Sequence, residues 1–91
     1  MKFEWDENKN RLNKAKHGVS FNVAARVFAD PDRLERYDQA HSADEDRWIT
    51  IGMVSPVVLM VVYTEREGQK TLRLISARQA NEQEQKAYYH I

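Results

Sequence analysis

The chain has 91 residues, with 14 Lys and Arg balanced by 14 Asp and Glu, and no cysteine. That length fits one domain with a thin core, which buries about 60–65% of the surface its unfolded form exposes. No disulfide can staple the fold and no thiolate can hold a metal, so stability rests on packing, alone or with a partner that covers apolar surface.

The opening MKFEWDENKN lacks the apolar core of a signal peptide. The longest apolar run, Pro56 to Tyr63, is far short of the ~20 residues that span a bilayer. The expected setting is the cytoplasm, with no membrane partner. A net charge of zero argues on its face against nucleic acid, but the charge is unevenly placed. Residues 1–19 carry five Lys/Arg and three Asp/Glu, residues 30–47 three against seven, and residues 66–80 four against one. Such a chain folds either into a two-signed surface or into a well-mixed solvated one.

Lys2 to Trp5 alternates polar and apolar residues, which predicts a short strand. Asp6 caps a helix over residues 7–16, and Gly18 ends it in a left-handed turn. Ser20 caps a second helix with an apolar stripe of Phe21, Ala24, Ala25, Val27 and Phe28, stopped by Asp30-Pro31. Leu34 to Tyr37 reads as an irregular edge strand and Ala40 to Asp46 as an acidic turn. Arg47 to Met53 is a strand, followed by a hairpin turn at Ser55-Pro56. Val57 to Thr64 is apolar on both faces and belongs at the centre of the sheet. Arg66 to Gln69 turns, and Thr71 to Ala77 is a further strand. Asn81 with Glu84 makes a capping-box start to a last helix that ends near Tyr88–Tyr89. The expected order is β-α-α-β-β-β-α. It describes a single α+β domain over residues 1–91, with an antiparallel sheet, two N-terminal helices and a C-terminal helix.

The glycines at 18, 52 and 68 are isolated, so no phosphate loop or dinucleotide fingerprint is present. His17, His41 and His90 are too scattered for a zinc motif, and Ser76 lacks a hydrolase elbow. No metal or other cofactor is expected. Three features remain. At the end of the first helix Lys16-His17-Gly18 is either an ordinary cationic C-cap or a proton carrier beside a cation. Asp38-x-x-His41-x-x-x-Glu45-x-Arg47 is either a solvated turn or a carboxylate-oriented histidine next to an ion pair. Arg73, Ser76 and Arg78 lie on a strand whose alternation groups Arg73, Ile75 and Ala77 on one face and Leu72, Leu74 and Ser76 on the other. Guanidinium groups stay charged and grip phosphate by paired hydrogen bonds, although a surface arginine paired with an acid is the plainer reading.

Together these blocks resemble the BrnT family, the toxin half of a bacterial toxin–antitoxin pair with a RelE-like fold. The matching residues are Phe3-Glu4-Trp5-Asp6, Lys9, Asn13, Lys16-His17-Gly18-Val19-Ser20-Phe21, Ala24, Val27-Phe28 and Asp30-Pro31. They continue with Asp38, His41-Ser42, Glu45, Arg47-Trp48-Ile49, Gly52, Arg73-Leu74-Ile75-Ser76-Ala77-Arg78, Ala80, Glu84 and Tyr88. The chain departs from the pattern at Pro56-Val57-Val58, in the charge-rich residues 32–37, and at Asn81.

The resemblance implies a metal-independent endoribonuclease neutralised by a small ribbon-helix-helix antitoxin, BrnA, with operator DNA bound only through that antitoxin. In such a nuclease the 2′-hydroxyl attacks the adjacent phosphorus. Arg73 and Arg78 are then expected on the phosphate, and Arg47 on the phosphate or the RNA backbone. His17 helped by Lys16 moves protons, with Glu45, His41 or Tyr88 as alternates. His41, Arg66, Ser76 and Tyr88 are expected to touch RNA. Two other readings are a non-catalytic antitoxin-binding module acting in operon autoregulation and an interaction domain recruiting a partner through its edge strand.

Overall fold

The computed structural model describes residues 1–68 and 70–90. Gln69, expected in a turn, lies outside the described residues. Strand β1 (Lys2–Glu4) leads into helix α1 (Glu7–His17). Asp6 opens that helix, its Oδ1 accepting the N–H groups of Asn8 at 2.8 Å and Lys9 at 3.2 Å, donors the helix itself leaves unpaired. Gly18 closes it at φ +74°, where a Cβ would be disfavoured. Ser20 then caps α2 (Phe21–Ala24), but the second helix does not continue in α geometry. It tightens into a 3₁₀ turn over Ala25–Ala29 before Asp30.

Four strands follow: β2 (Leu34–Tyr37), β3 (Trp48–Val54), β4 (Val57–Arg66) and β5 (Thr71–Gln79), and helix α3 (Glu82–Tyr89) ends the chain. The sheet order is β1-β5-β4-β3-β2. The expected order was one strand short and the expected sheet was wholly antiparallel; both need correcting. Leu34–Tyr37 is a regular strand, all four of its residues in register against β3. The chain leaves β1, crosses one face as α1 and α2, enters at the far edge and returns through three antiparallel steps. That path brings β5 beside β1 running the same way, so this pair is parallel and the sheet is mixed.

One face of the sheet carries the main core. Phe21, Ala24 and Val27 from the helical layer pack there on Val54, Leu59, Val61, Tyr63, Leu72, Leu74 and Ala77. Each of the valine, leucine and phenylalanine side chains contributes about 1.5–3 kcal/mol by leaving water, and each alanine methyl about 0.8 kcal/mol. The approach is close at Gly52, where an added Cβ would lie 2.8 Å from Val27 Cγ2 and 2.9 Å from Arg33 Cβ. The buried side of α1 is polar instead. Asn10 Oδ1 accepts the Phe21 N–H, and the Asn13 amide bonds both the C=O and the N–H of Ala77. The β1 pairing stops at Arg73. Asn13 thus serves backbone groups of β5 that β1 does not reach, which removes the cost of burying them bare.

The opposite face is thinner. Ile51, Val58 and Met60, with Leu34, Ile49, Met53 and Val62 beside them, meet Ala80 and Tyr88 where α3 crosses. Beyond α3 this face stays open. Its composition depends on an irregularity: Val62 pairs Ser76 but Tyr63 pairs Leu74, which leaves Ile75 as an extra residue in β5. Simple alternation therefore fails at Ile75. Leu72, Leu74 and Ala77 all reach the core, whereas Arg73, Ser76 and Arg78 all turn to the open face. The sequence-based grouping of Arg73 with Ala77 and against Ser76 is corrected accordingly.

Candidate active site

On the open face a cleft of about 450 Å³ lies between the sheet, the start of α3 and the β2–β3 connection. Its floor is Ile49, Met60, Val62 and Ile75; around it stand Arg36, Arg47, Arg78, Asp38, His41, Ser76 and Glu84. Three guanidinium groups thus face two carboxylates, an excess of positive charge in a chain whose total is zero.

Each charged group is placed by a local reason. Arg36 sits opposite Ile49 in β2 and so projects to the same side as the cleft floor. Its side chain forms no ion pair among the described residues, although its charge acts on Glu84. Asp38 follows β2 and is buried. Its carboxylate lies 3.1 Å from His41 Nδ1 across one short 3₁₀ turn, while the imidazole itself is 70% exposed. Ser42 clamps this turn, its hydroxyl donating to the Asp38 carbonyl at 2.5 Å and accepting the Arg47 N–H at 2.9 Å. Arg47 immediately precedes β3, with its Nε buried and without a hydrogen-bond partner among the described residues, 3.9 Å from Glu45. A buried donor left so is uncommon and is satisfied when an oxygen is brought to it.

Arg78 is held differently. Its Nη1 and Nη2 donate to the two oxygens of Glu84 at 2.7 and 2.9 Å, a fork that fixes the guanidinium plane. Burial pushes the Glu84 carboxyl up. The Arg78 hydrogen bond, the Asn81 N–H and the charges of Arg78 and Arg36 outweigh it and hold the group below its ordinary value.

Of the residues singled out in the sequence, the cleft brings together His41, Arg47, Ser76 and Arg78. Glu45 lies next door, in a smaller depression that shares His41 and Arg47 with the cleft. Arg66 reaches Glu45 at 3.7 Å on the far side. The others lie elsewhere. Arg73 shares the open face but pairs with Glu4 of β1 at 2.8 Å and does not line the cleft. Tyr88 donates to Asp30 at 2.6 Å, which secures α3 and pushes the phenol up to about 12. Lys16 is exposed at the end of α1, and His17 borders a separate groove on the helical side of the molecule. Two cleft residues were not among the sequence-derived candidates: Arg36 and Glu84. Asp38 was read there as the carboxylate that could orient His41, and alternation along Leu34–Tyr37 was the signal for Arg36. Glu84 was visible as a capping residue and as one of the residues that carry the family resemblance.

A family model described as the ribonuclease toxin BrnT of type II toxin–antitoxin systems matches residues 5–84. The chain belongs to the BrnT family. The matched span runs through every residue that lines the cleft and ends on Glu84. Membership makes this BrnT chain a ribonuclease toxin with RNA as substrate and an antitoxin as partner. A search of curated proteins returned no match. No helix among the described residues is long and apolar enough to cross a membrane.

Proposed function

We propose that this BrnT chain cuts RNA in the open-face cleft by metal-independent attack of the ribose 2′-hydroxyl on its own 3′-phosphodiester. The new 2′-O–P bond forms as the P–O5′ bond breaks, leaving a 2′,3′-cyclic phosphate and a free 5′-hydroxyl. His41 takes the 2′-hydroxyl proton and returns one to the departing O5′, the two tasks an imidazole near neutral pH performs best. Asp38 orients the ring through Nδ1, which leaves Nε2 for the substrate. Arg47, Arg78 and Arg36 meet the charge that builds on the phosphoryl oxygens. Ser76 lies within the same lining for the ribose or base.

The observation that carries this reading is the carboxylate-backed, solvent-facing His41 beside a guanidinium group whose buried Nε has no acceptor among the described residues. It favours His41 over His17, since His17 borders a different cavity with no arginine trio. Neutralisation falls to a BrnA-like ribbon-helix-helix antitoxin, which alone carries the complex to operator DNA, and the toxin acts in the cytoplasm, where both RNA and antitoxin are made.

The test uses purified toxin, an RNA oligonucleotide and excess chelator. Cleavage persists, products end in 2′,3′-cyclic phosphate, and a 2′-deoxy substitution at the cut nucleotide blocks the reaction. Loss of activity in chelator, or cutting of the deoxy substrate, overturns the mechanism. A second reading is a non-catalytic module that only binds antitoxin. Its support is Glu84, which already occupies the fork of Arg78; intact RNA at high toxin concentration favours it.

A further inference from the structure

A second concavity, about 440 Å³, lies on the helical side between the end of α1, α2 and the β3–β4 hairpin. Val19, Val54, Val57 and Leu59 form its apolar lining; Lys14, His17 and Arg26 stand around it, and no acidic residue does. Neither Lys14 nor Arg26 forms an ion pair among the described residues. Val23, also at the rim, is 41% exposed although it sits between the buried Phe21 and Ala24 of the same helix. Apolar surface beside unpaired cations is costly to leave in water and gains when a complementary chain covers both.

We propose that this groove is a docking site for the antitoxin, taking an apolar segment of that protein flanked by acidic side chains. The partner class follows from family membership and does not depend on the cleft mechanism. The chemistry of the segment follows from the groove. Aliphatic walls fit apolar side chains and offer little to a phosphate, whereas Lys14 and Arg26 select carboxylates at the edges. RNA is the weaker fit, because the arginines that could fork a phosphate are gathered on the opposite face of the sheet. The groove and the cleft share no lining residue. Docking here therefore anchors the antitoxin without itself filling the catalytic cleft, and inhibition needs a further part of the same chain to reach around the sheet.

The experiment compares wild type with Arg26→Glu and Val23→Glu, both at exposed positions, and confirms folding by thermal melts. The probe is the purified product of the reading frame adjacent to the toxin gene, titrated by calorimetry, with a single-stranded RNA oligonucleotide assayed in parallel. Each variant loses at least tenfold in affinity for that protein and keeps wild-type RNA binding and cleavage. Unchanged affinity in both folded variants overturns the docking site. Loss of RNA binding with antitoxin affinity intact also overturns it and assigns the groove to RNA. Absence of cleavage in wild type, with antitoxin affinity still falling in the variants, sinks the cleft mechanism and leaves the docking site standing.

Discussion

Glu84 grips the Arg78 guanidinium with both carboxylate oxygens, at 2.7 and 2.9 Å, while one of them also accepts the Asn81 N–H at 2.8 Å. A single carboxylate thus joins the start of α3 to a cation of the cleft. Glu84→Ala removes half of the capping box and the partner of a half-buried guanidinium. The expected loss is about 1–2 kcal/mol, which a thermal melt reads as a fall of roughly 4–16 °C. Glu84→Gln retains part of the cap and loses less.

Acid should unfold the protein through identifiable groups. Asp30, Glu35 and Glu84 all lie below their ordinary values of 3.8, 4.5 and 4.5. In Asp30 burial raises the carboxyl, but the Tyr88 hydroxyl, the Met53 and Asp32 N–H groups and the Arg33 charge lower it further. In Glu35 the Tyr63 hydroxyl is the leading cause. A depressed folded value means the stabilisation is complete above the unfolded value and is lost as pH falls through the folded one. Melting temperature is therefore flat down to about pH 5 and drops below it. Asp30→Asn lowers the plateau and makes the drop shallower.

His41→Ala should abolish cleavage and leave the melt unchanged, because the ring is mostly exposed. Asp38→Asn keeps the turn but misorients the ring, and kcat falls by about 10²–10⁴ with little change in KM. Single-turnover assays across pH separate the two, and wild-type rates in His41→Ala would move proton transfer elsewhere.

The arginines should divide by position. Arg78→Ala, Arg47→Ala and Arg36→Ala each lower kcat/KM by about 10²–10³, the scale for losing one transition-state charge contact. Arg73→Ala, which frees Glu4 outside the cleft, stays within about threefold by the same reasoning. Growth arrest on induced expression gives the same ranking; equal losses at Arg73 and Arg78 would argue for a broader binding surface.

Gly52→Ala should destabilise by about 1–3 kcal/mol, since the new methyl meets Val27 and Arg33 where neither can retreat. Denaturant melts read this as a lower midpoint at constant slope.

Much of this architecture was legible in the letters. Caps announced themselves through side chains that bind the backbone locally: Asp6, Ser20 and the Asn81/Glu84 pair sit at the observed helix starts. The continuous apolar run of β4 placed that strand centrally. The parallel β1–β5 pair was not legible, because direction depends on the whole path of the chain and not on any residue in either strand. Asn13 illustrates a second limit, since a polar side chain on α1 reads as solvated until β5 supplies backbone groups for it to bind. At the site, residue types identified Arg47, Arg78, His41 and Ser76 as chemically apt, and the spacing of Asp38 to His41 was visible. What failed was mutual position. His17 and Lys16 lie on the helical side, and Arg36 looked like one charge among many until β2 formed.

Five steps along an unbroken strand end on the side opposite to the start, yet the five from Arg73 to Arg78 end on the same side, because one residue between them has no counterpart on β4. That interval behaves like a reading frame. Adding or removing one residue within it would swing Arg78 toward the helices while every other letter stayed the same, and no substitution at the rim of the cleft could put the guanidinium back.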